Sequence, residues 1–260
     1  MSYSFDESKH IHALDGKPLI GTTTALSIIS KPLTYWASGM AVGELGWLNP
    51  KKNSSSECDK YAQEKLAEIR QMSLGEYKKL LDRAYRCHAT KLKDSASEGI
   101  DLHALIEEFI KGQLNDGEML LPDERIMPFI TWSKTNVKKF LFSELHCYSK
   151  ILWVGGIADF GYEDMDGKYV LGDIKSSREA YFSQWAQLGG YDIQIGENGG
   201  FNVKGEKTFD PNRPFDYHAI FCAPRIGEPF LNLEPVKMKE TFCHAVSLYK
   251  MKLFYEKEAA

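Results

Sequence analysis

The chain has 260 residues, 43% of them hydrophobic, with a formal charge of −4; it can bury a substantial core, and any phosphate-binding surface must be a local patch rather than a property of the whole molecule. No apolar run approaches the roughly 20 residues of a membrane span, and the opening MSYSFDESKH has neither the basic nor the apolar part of a secretory signal. The cysteines are odd in number and never form a Cys-x-x-Cys pair, which suits free thiols in a cytoplasmic, reducing compartment better than disulfides or zinc.

Residues 8–21 read as a hairpin around Asp15-Gly16, after which Thr22 to Thr24 are expected to cap a helix through Leu26, Ile28 and Ile29 that breaks near Lys31-Pro32. A second helix follows from Leu33 past Trp36 and Met40. From about 50 to 97 the composition turns charged and helix-favouring, with Asn53 to Ser55 as a linker into helices over 56–72 and 75–93. Leu102, Leu105, Ile106, Phe109 and Ile110 recur at the spacing of an apolar helix face, and Pro122 to Lys139 reads as a further helix with proline in its first turn. Strands are predicted from near Phe142 through Tyr162 and from Tyr169 to Lys175, forming an antiparallel meander around the turn Met165-Asp166-Gly167. A helix over 179–196, strands at Tyr217 to Cys222 and Phe230 to Leu233, and a closing helix from Val236 to Glu256 complete a single α/β unit.

The meander carries the chemistry. Side chains alternate across a strand, so Asp173 and Lys175 share one face while Val170 and Ile174 point to the other. A three-residue loop with Gly167 in the left-handed region would set Asp159 directly across from Asp173; a two-residue Asp166-Gly167 loop would shift the pairing by one. In the first register two carboxylates meet beside an ammonium, and such acids repel unless a proton or a hard cation such as Mg²⁺ or Mn²⁺ joins them. The bland alternative is an exposed Asp-Lys ion pair on a sheet face.

Four segments in order, EGIDLHALIEEF (98–109), GGIAD (155–159), GDIKSS (172–177) and Gln187-Leu-Gly-Gly-Tyr191, resemble the PD-(D/E)xK nuclease superfamily in its RecB-like and phage-type exonuclease branch. Residues 22–37 add a weaker likeness to the N-terminal segment of phage exonucleases. The resemblance implies a central mixed sheet with an antiparallel catalytic meander flanked by helices, a restriction-endonuclease-like core over 98–260, and a mostly helical N-terminal elaboration over 1–97, all in one nuclease domain. It implies one or two Mg²⁺ or Mn²⁺ ions held by His103, Asp159, Asp173 and the Ile174 carbonyl, with Lys175 orienting or deprotonating the attacking water. Alanine in place of the superfamily's nominal proline before Asp159 is ordinary for this branch.

The remaining residues are weighed singly. A lone helix-border histidine is most often a hydrogen-bonded surface or core residue; the resemblance is what makes His103 a ligand, with Glu107 one turn on as its supporting neighbour. Gln187 and Tyr191, with Gln184 on the same side, are either helix packing or, by resemblance, contacts to DNA phosphate or the catalytic lysine. Ser176 and Ser177 either donate to a phosphate or cap a helix. Between Lys78 and Lys93, Lys78, Lys79, Arg83, Arg86, Lys91 and Lys93 form a basic run that is either a solvated helix face or a wall tracking DNA. His10-x-His12 looks like a two-ligand strand motif, but no acid cluster accompanies it and a surface hairpin is expected. The cysteine spacing argues against an iron–sulfur cluster, and no Walker-type phosphate loop is present. The expectation is a metal-dependent DNA exonuclease of recombination or repair, acting on DNA with a single-strand annealing or other recombination protein as partner. A structure-specific endonuclease, a non-catalytic nucleic-acid-binding module and a structural component of a larger complex are its rivals.

Overall fold

The computed structural model describes residues 2–30, 33–114 and 123–258. The Lys31-Pro32 break and the first-turn proline at Pro122 lie outside the described residues. Strands β1 (Tyr3–Asp6), β2 (Ile11–Leu14) and β3 (Lys17–Pro18) form a small antiparallel sheet. Asp15 and Gly16 both take positive φ, the geometry of the tight turn expected there. β4 (Ile20–Gly21) leads into α1 (Thr22–Ala25), whose cap residue is Gly21 rather than a threonine. The Thr22 hydroxyl instead donates to the Gly155 carbonyl at 3.1 Å, so this threonine ties the helix to the sheet.

Next come α2 (Thr34–Gly43), α3 (Ser55–Gln71) and α4 (Leu74–Leu114). Ser54 caps α3 reciprocally with Glu57, which fixes the end of the Asn53 linker. The helices expected over 75–93 and around Leu102 to Ile110 are one continuous element, α4. The chain then forms a 3-10 turn at Glu124–Ile126 and α5 (Met127–Asn136). The strand expected from Phe142 starts earlier: β5 covers Val137–Ser149, because Val137 to Phe140 pair with the end of β6 (Val154–Asp164) through two register shifts. β7 (Tyr169–Lys175), α6 (Phe182–Asn198), β8 (Gly200–Phe201), β9 (Lys207–Phe209), β10 (Tyr217–Cys222), β11 (Phe230–Asn232) and α7 (Pro235–Glu258) follow.

The chain divides into two compact units, residues 1–30 with 99–260, and residues 31–98. The helical stretch expected over 1–97 is thereby split, since its first thirty residues pack with the sheet. The larger unit is built on a mixed sheet of order β11-β10-β7-β6-β5-β8-β9, in which β10 runs parallel to β7 and the β5-β6-β7 meander is antiparallel. Helices cover both faces. Ile106, Phe109 and Ile110 of α4 and Phe129 of α5 pack with Phe160, Val170, Ile174 and Phe221. On the opposite face Leu188, Tyr191 and Ile195 of α6 pack with Leu145, Ala158, Leu171 and Ile220. Val170 and Ile174 thus fall on one side and Leu171 on the other, as strand alternation requires. Among the described residues no helix is long and apolar enough to cross a membrane.

The His10-x-His12 hairpin is not a surface feature throughout. His12 is buried, and its Nδ1 lies 2.6 Å from the Tyr3 hydroxyl, which also reaches Nδ1 of buried His146 at 3.2 Å. Strand β1, absent from the sequence expectation, supplies that tyrosine.

Candidate functional site

Gly167 takes φ of +78°, Asp164 N donates to the Lys168 carbonyl at 2.9 Å, and the β6-β7 ladder runs from Glu163 opposite Tyr169 to Phe160 opposite Gly172. This is the three-residue-loop register, and its next step places Asp159 opposite Asp173. On the other side of β6, the pairs Ser143 with Phe160 and Leu145 with Ala158 bracket Glu144 and Asp159. Glu144, Asp159 and Asp173 therefore stand in a row across three neighbouring strands.

The ladder ends at this row. Beyond Phe160, the Ile174 N–H is taken not by a β6 carbonyl but by Oδ2 of Asp159, at 2.7 Å. β5 lines one edge of β6 along its whole length, so the other edge is shared: β7 holds Phe160 to Glu163, and β4 holds Val154 and Gly155. Between them residues 156–159 have no strand partner on that edge among the described residues. The acids sit in this fork.

The charges around the fork are unevenly matched. His103, projecting from α4, has Nε2 at 3.0 Å from Asp159 Oδ2 and Nδ1 at 3.8 Å from Glu144 Oε1. Burial opposes the imidazolium, but Asp159, Glu144 and Asp173 together outweigh it and raise the His103 pKa to about 9. Burial would also raise Asp159, yet His103, Lys175 and the Ile174 N–H hold its carboxyl below the usual range. Asp173 is different. It is wholly buried, its Oδ2 lies 2.7 Å from Lys175 Nζ as an ion pair, and neither oxygen has an aligned hydrogen-bond donor. Desolvation therefore prevails over Lys175, Asp159 adds repulsion, and its pKa is raised. Burial and then Glu107 likewise push Glu144 up. Burial disfavours the Lys175 ammonium, but Asp173 and Asp159 more than compensate, so it stays a cation.

Of the expected residues, the structure brings together His103, Asp159, Asp173 and Lys175, with the Ile174 side chain in the core and its N–H on Asp159. Glu107 joins them: one donor atom each from His103, Glu107 and Glu144 lies within 4.8 Å of the others. Glu144 was not foreseen. Its signals are its place opposite Asp159 and a positive φ of 51°, rare for a side chain other than glycine in a strand.

Gln187 and Tyr191 are bonded to each other, Nε2 to the hydroxyl at 2.8 Å, rather than to Lys175. Tyr191 nevertheless lies in the field of both acids, which, after burial, raise its pKa. Its ring also explains a glycine: a Cβ at Gly156 would come within 2.6 Å of both Tyr191 Cε1 and Thr22 Oγ1. Gln184 caps α6, accepting from Tyr181 N at 2.7 Å and donating to Ser177 Oγ at 3.2 Å. The Ser177 hydroxyl is in turn spent on the Glu179 carbonyl at 2.9 Å, while Ser176 is exposed. Lys78, Lys79, Arg83 and Arg86 belong to the other unit and are exposed there, Arg83 paired with Glu44 and Arg86 with Asp82.

The sequence matches no model of a known protein family, and no curated protein matches it. What the site can do rests on its own geometry. Glu107, Glu144, Asp159 and Asp173 gathered near His103, with Glu144 and the buried Asp173 raised in pKa and the Asp173 oxygens lacking aligned donors, are a donor set suited to a hard divalent cation.

Proposed function

We propose that the chain is a metal-dependent DNA nuclease of the PD-(D/E)xK superfamily, working as an exonuclease in recombination or repair. The observation that carries this reading is the row Glu144-Asp159-Asp173 with the Lys175 ammonium 2.7 Å from the buried Asp173 carboxylate. The antiparallel β5-β6-β7 meander followed by α6 and the parallel β10 supports a restriction-endonuclease-like core.

Asp159, Asp173, His103 and the Ile174 carbonyl would hold Mg²⁺ or Mn²⁺, with Glu144 and Glu107 adjoining. The cation, when bound, would supply Lewis-acid polarisation of the scissile phosphate and a more acidic water. The protein's own residues do the rest. Lys175, kept cationic by Asp173 and Asp159, orients the attacking water and stabilises negative charge that develops on phosphate oxygen. Tyr191 and Thr22 pack directly against Gly156, and His103 holds the Asp159 carboxylate in place.

The test is cleavage of end-labelled linear and circular DNA with Mg²⁺, Mn²⁺ or EDTA, beside Asp173→Asn. Metal-dependent release of nucleotides from ends, lost in the variant, is expected. Equal attack on circles would replace the exonuclease with an endonuclease, and no cleavage with either metal would leave a nucleic-acid-binding module.

A further inference from the structure

The helical unit has a surface that the cleavage chemistry does not use. Within α4, Leu80 and Ala84 are buried, and the helix turns a different face outward. On it Leu74, Tyr77, Leu81 and Tyr85 follow one another at intervals of three and four residues, so they form one stripe along the axis. All four are exposed, and Tyr85 has 76% of its surface open. Exposed tyrosines carry large apolar faces that ordinarily find cover.

Cations border this stripe. From Glu76 to Lys93 the sequence has six lysines and arginines against two acids, in a chain whose formal charge is −4. Arg83 and Arg86 are engaged with Glu44 and Asp82, whereas Lys78, Lys79, Lys91 and Lys93 are exposed and have no ion-pair partner among the described residues. At about 100° per residue Lys78 lies next to the aromatic stripe and Lys93 about 60° beyond it, whereas Lys79 falls on the far side of the helix. At 1.5 Å per residue, Lys78 to Lys93 spans about 22 Å along the helix axis, long enough for several nucleotides of a single strand.

We propose that this face of α4 is a binding platform for single-stranded DNA, with bases stacking on Tyr77 and Tyr85 and phosphates following Lys78 and Lys93. The two kinds of group divide the recognition. Unpaired bases have free π-faces and duplex bases do not, so the tyrosines favour a single strand, while the lysines attract any polyanion. The inference goes beyond the nuclease reading and draws on it only for the choice of DNA. It holds or falls without any cleavage.

The experiment is fluorescence anisotropy in EDTA with three labelled oligonucleotides of equal length: oligothymidylate, an abasic strand and a duplex. Thymidylate should bind at least about tenfold tighter than the abasic strand. The double variant Tyr77→Ala/Tyr85→Ala should erase that preference and leave abasic binding unchanged. Lys78→Ala/Lys93→Ala should weaken all three ligands and make the salt dependence shallower by about 0.7 per lost phosphate contact for single strands. All four substitutions are at exposed positions, and circular dichroism confirms that each variant keeps its helices. Equal affinity for thymidylate and abasic strands, a preference that survives loss of both tyrosines, or tighter binding to phosphatidylserine vesicles than to DNA would overturn the platform. Binding without cleavage would sink the nuclease reading alone, and cleavage without this preference would sink only the platform.

Discussion

Replacing Asp159 and Asp173 by asparagine, one at a time, should move the stability of the metal-free protein in opposite directions. Asp159 is a satisfied anion: its Oδ2 receives the Ile174 N–H at 2.7 Å and faces the His103 imidazolium at 3.0 Å. Hydrogen bonds to charged groups are worth about 1.5–3 kcal/mol each, and an amide oxygen retains roughly half of that, so Asp159→Asn should cost about 2–3 kcal/mol. For a domain of this size that is about 4–10 °C in Tm. Asp173 is ion-paired with Lys175 but completely buried and without an aligned donor. Neutralising it removes a desolvated charge, while Lys175 keeps some solvent access and the field of Asp159. The net gain should lie between about 0 and 2 kcal/mol, a Tm unchanged or higher by up to about 6 °C. Thermal melts followed by circular dichroism at pH 8 in EDTA measure both. A Tm for Asp173→Asn as low as that for Asp159→Asn would show that Asp173 is a structural anion and remove the reason for a cation beside it.

Lys175→Arg and Lys175→Ala should each lose on the order of 10²-fold in cleavage rate or more, because a planar guanidinium cannot reproduce a compact ammonium's contact with one water; near-native turnover by the arginine variant would reduce Lys175 to an ordinary ion-pair partner. Gly156→Ala should lower stability by about 1–3 kcal/mol through overlap with Thr22 and Tyr191, and a native urea midpoint would show that these neighbours yield. Burial first, and then His146 and His10, lower the His12 pKa to about 3, so the fold holds this imidazole neutral beside Tyr3. Its stabilising contribution is complete above the unfolded value near 6.5 and is lost as pH falls below it; at pH 5 the loss is about 2 kcal/mol. The stability difference between the native protein and His12→Asn, from urea melts, should shrink by that amount between pH 7 and pH 5.

The β6-β7 hairpin was legible because its determinants are local. Gly167 fixes the turn, the turn fixes the register, and alternation then brings Asp173 and Lys175 to one face. Glu144 was not legible, since the run from Phe142 to Tyr162 was read without the turn over 150–153 that separates β5 from β6, and only that turn sets the register bringing Glu144 opposite Asp159. The two halves of α4 read as separate helices because Ser95, Ser97 and Gly99 weaken helix propensity between them without ending the helix. Tyr3, His12 and His146 meet across more than 130 residues of chain, and no periodicity within a short window can announce such a contact. Of the readings offered for Gln187 and Tyr191, the structure shows the two bonded to each other, as their spacing of one helical turn allows.

The fork in β6 gives the protein a built-in reporter. Central strands ordinarily exchange their amide protons only on global unfolding, whereas a stretch lacking a neighbour on one side can open locally. Residues 156–159 form such a stretch inside the best-paired strand of the sheet, flanked by protected segments at Val154-Gly155 and Phe160 to Glu163. Amides alternate between the two edges of a strand, so hydrogen–deuterium exchange should show fast labelling at those amides of 156–159 that face the open edge, between slow neighbours. Because Asp159 ends that stretch, a cation drawn in between the acids would clamp it, and the slowing of those few amides would titrate occupancy directly, with no DNA and no turnover required.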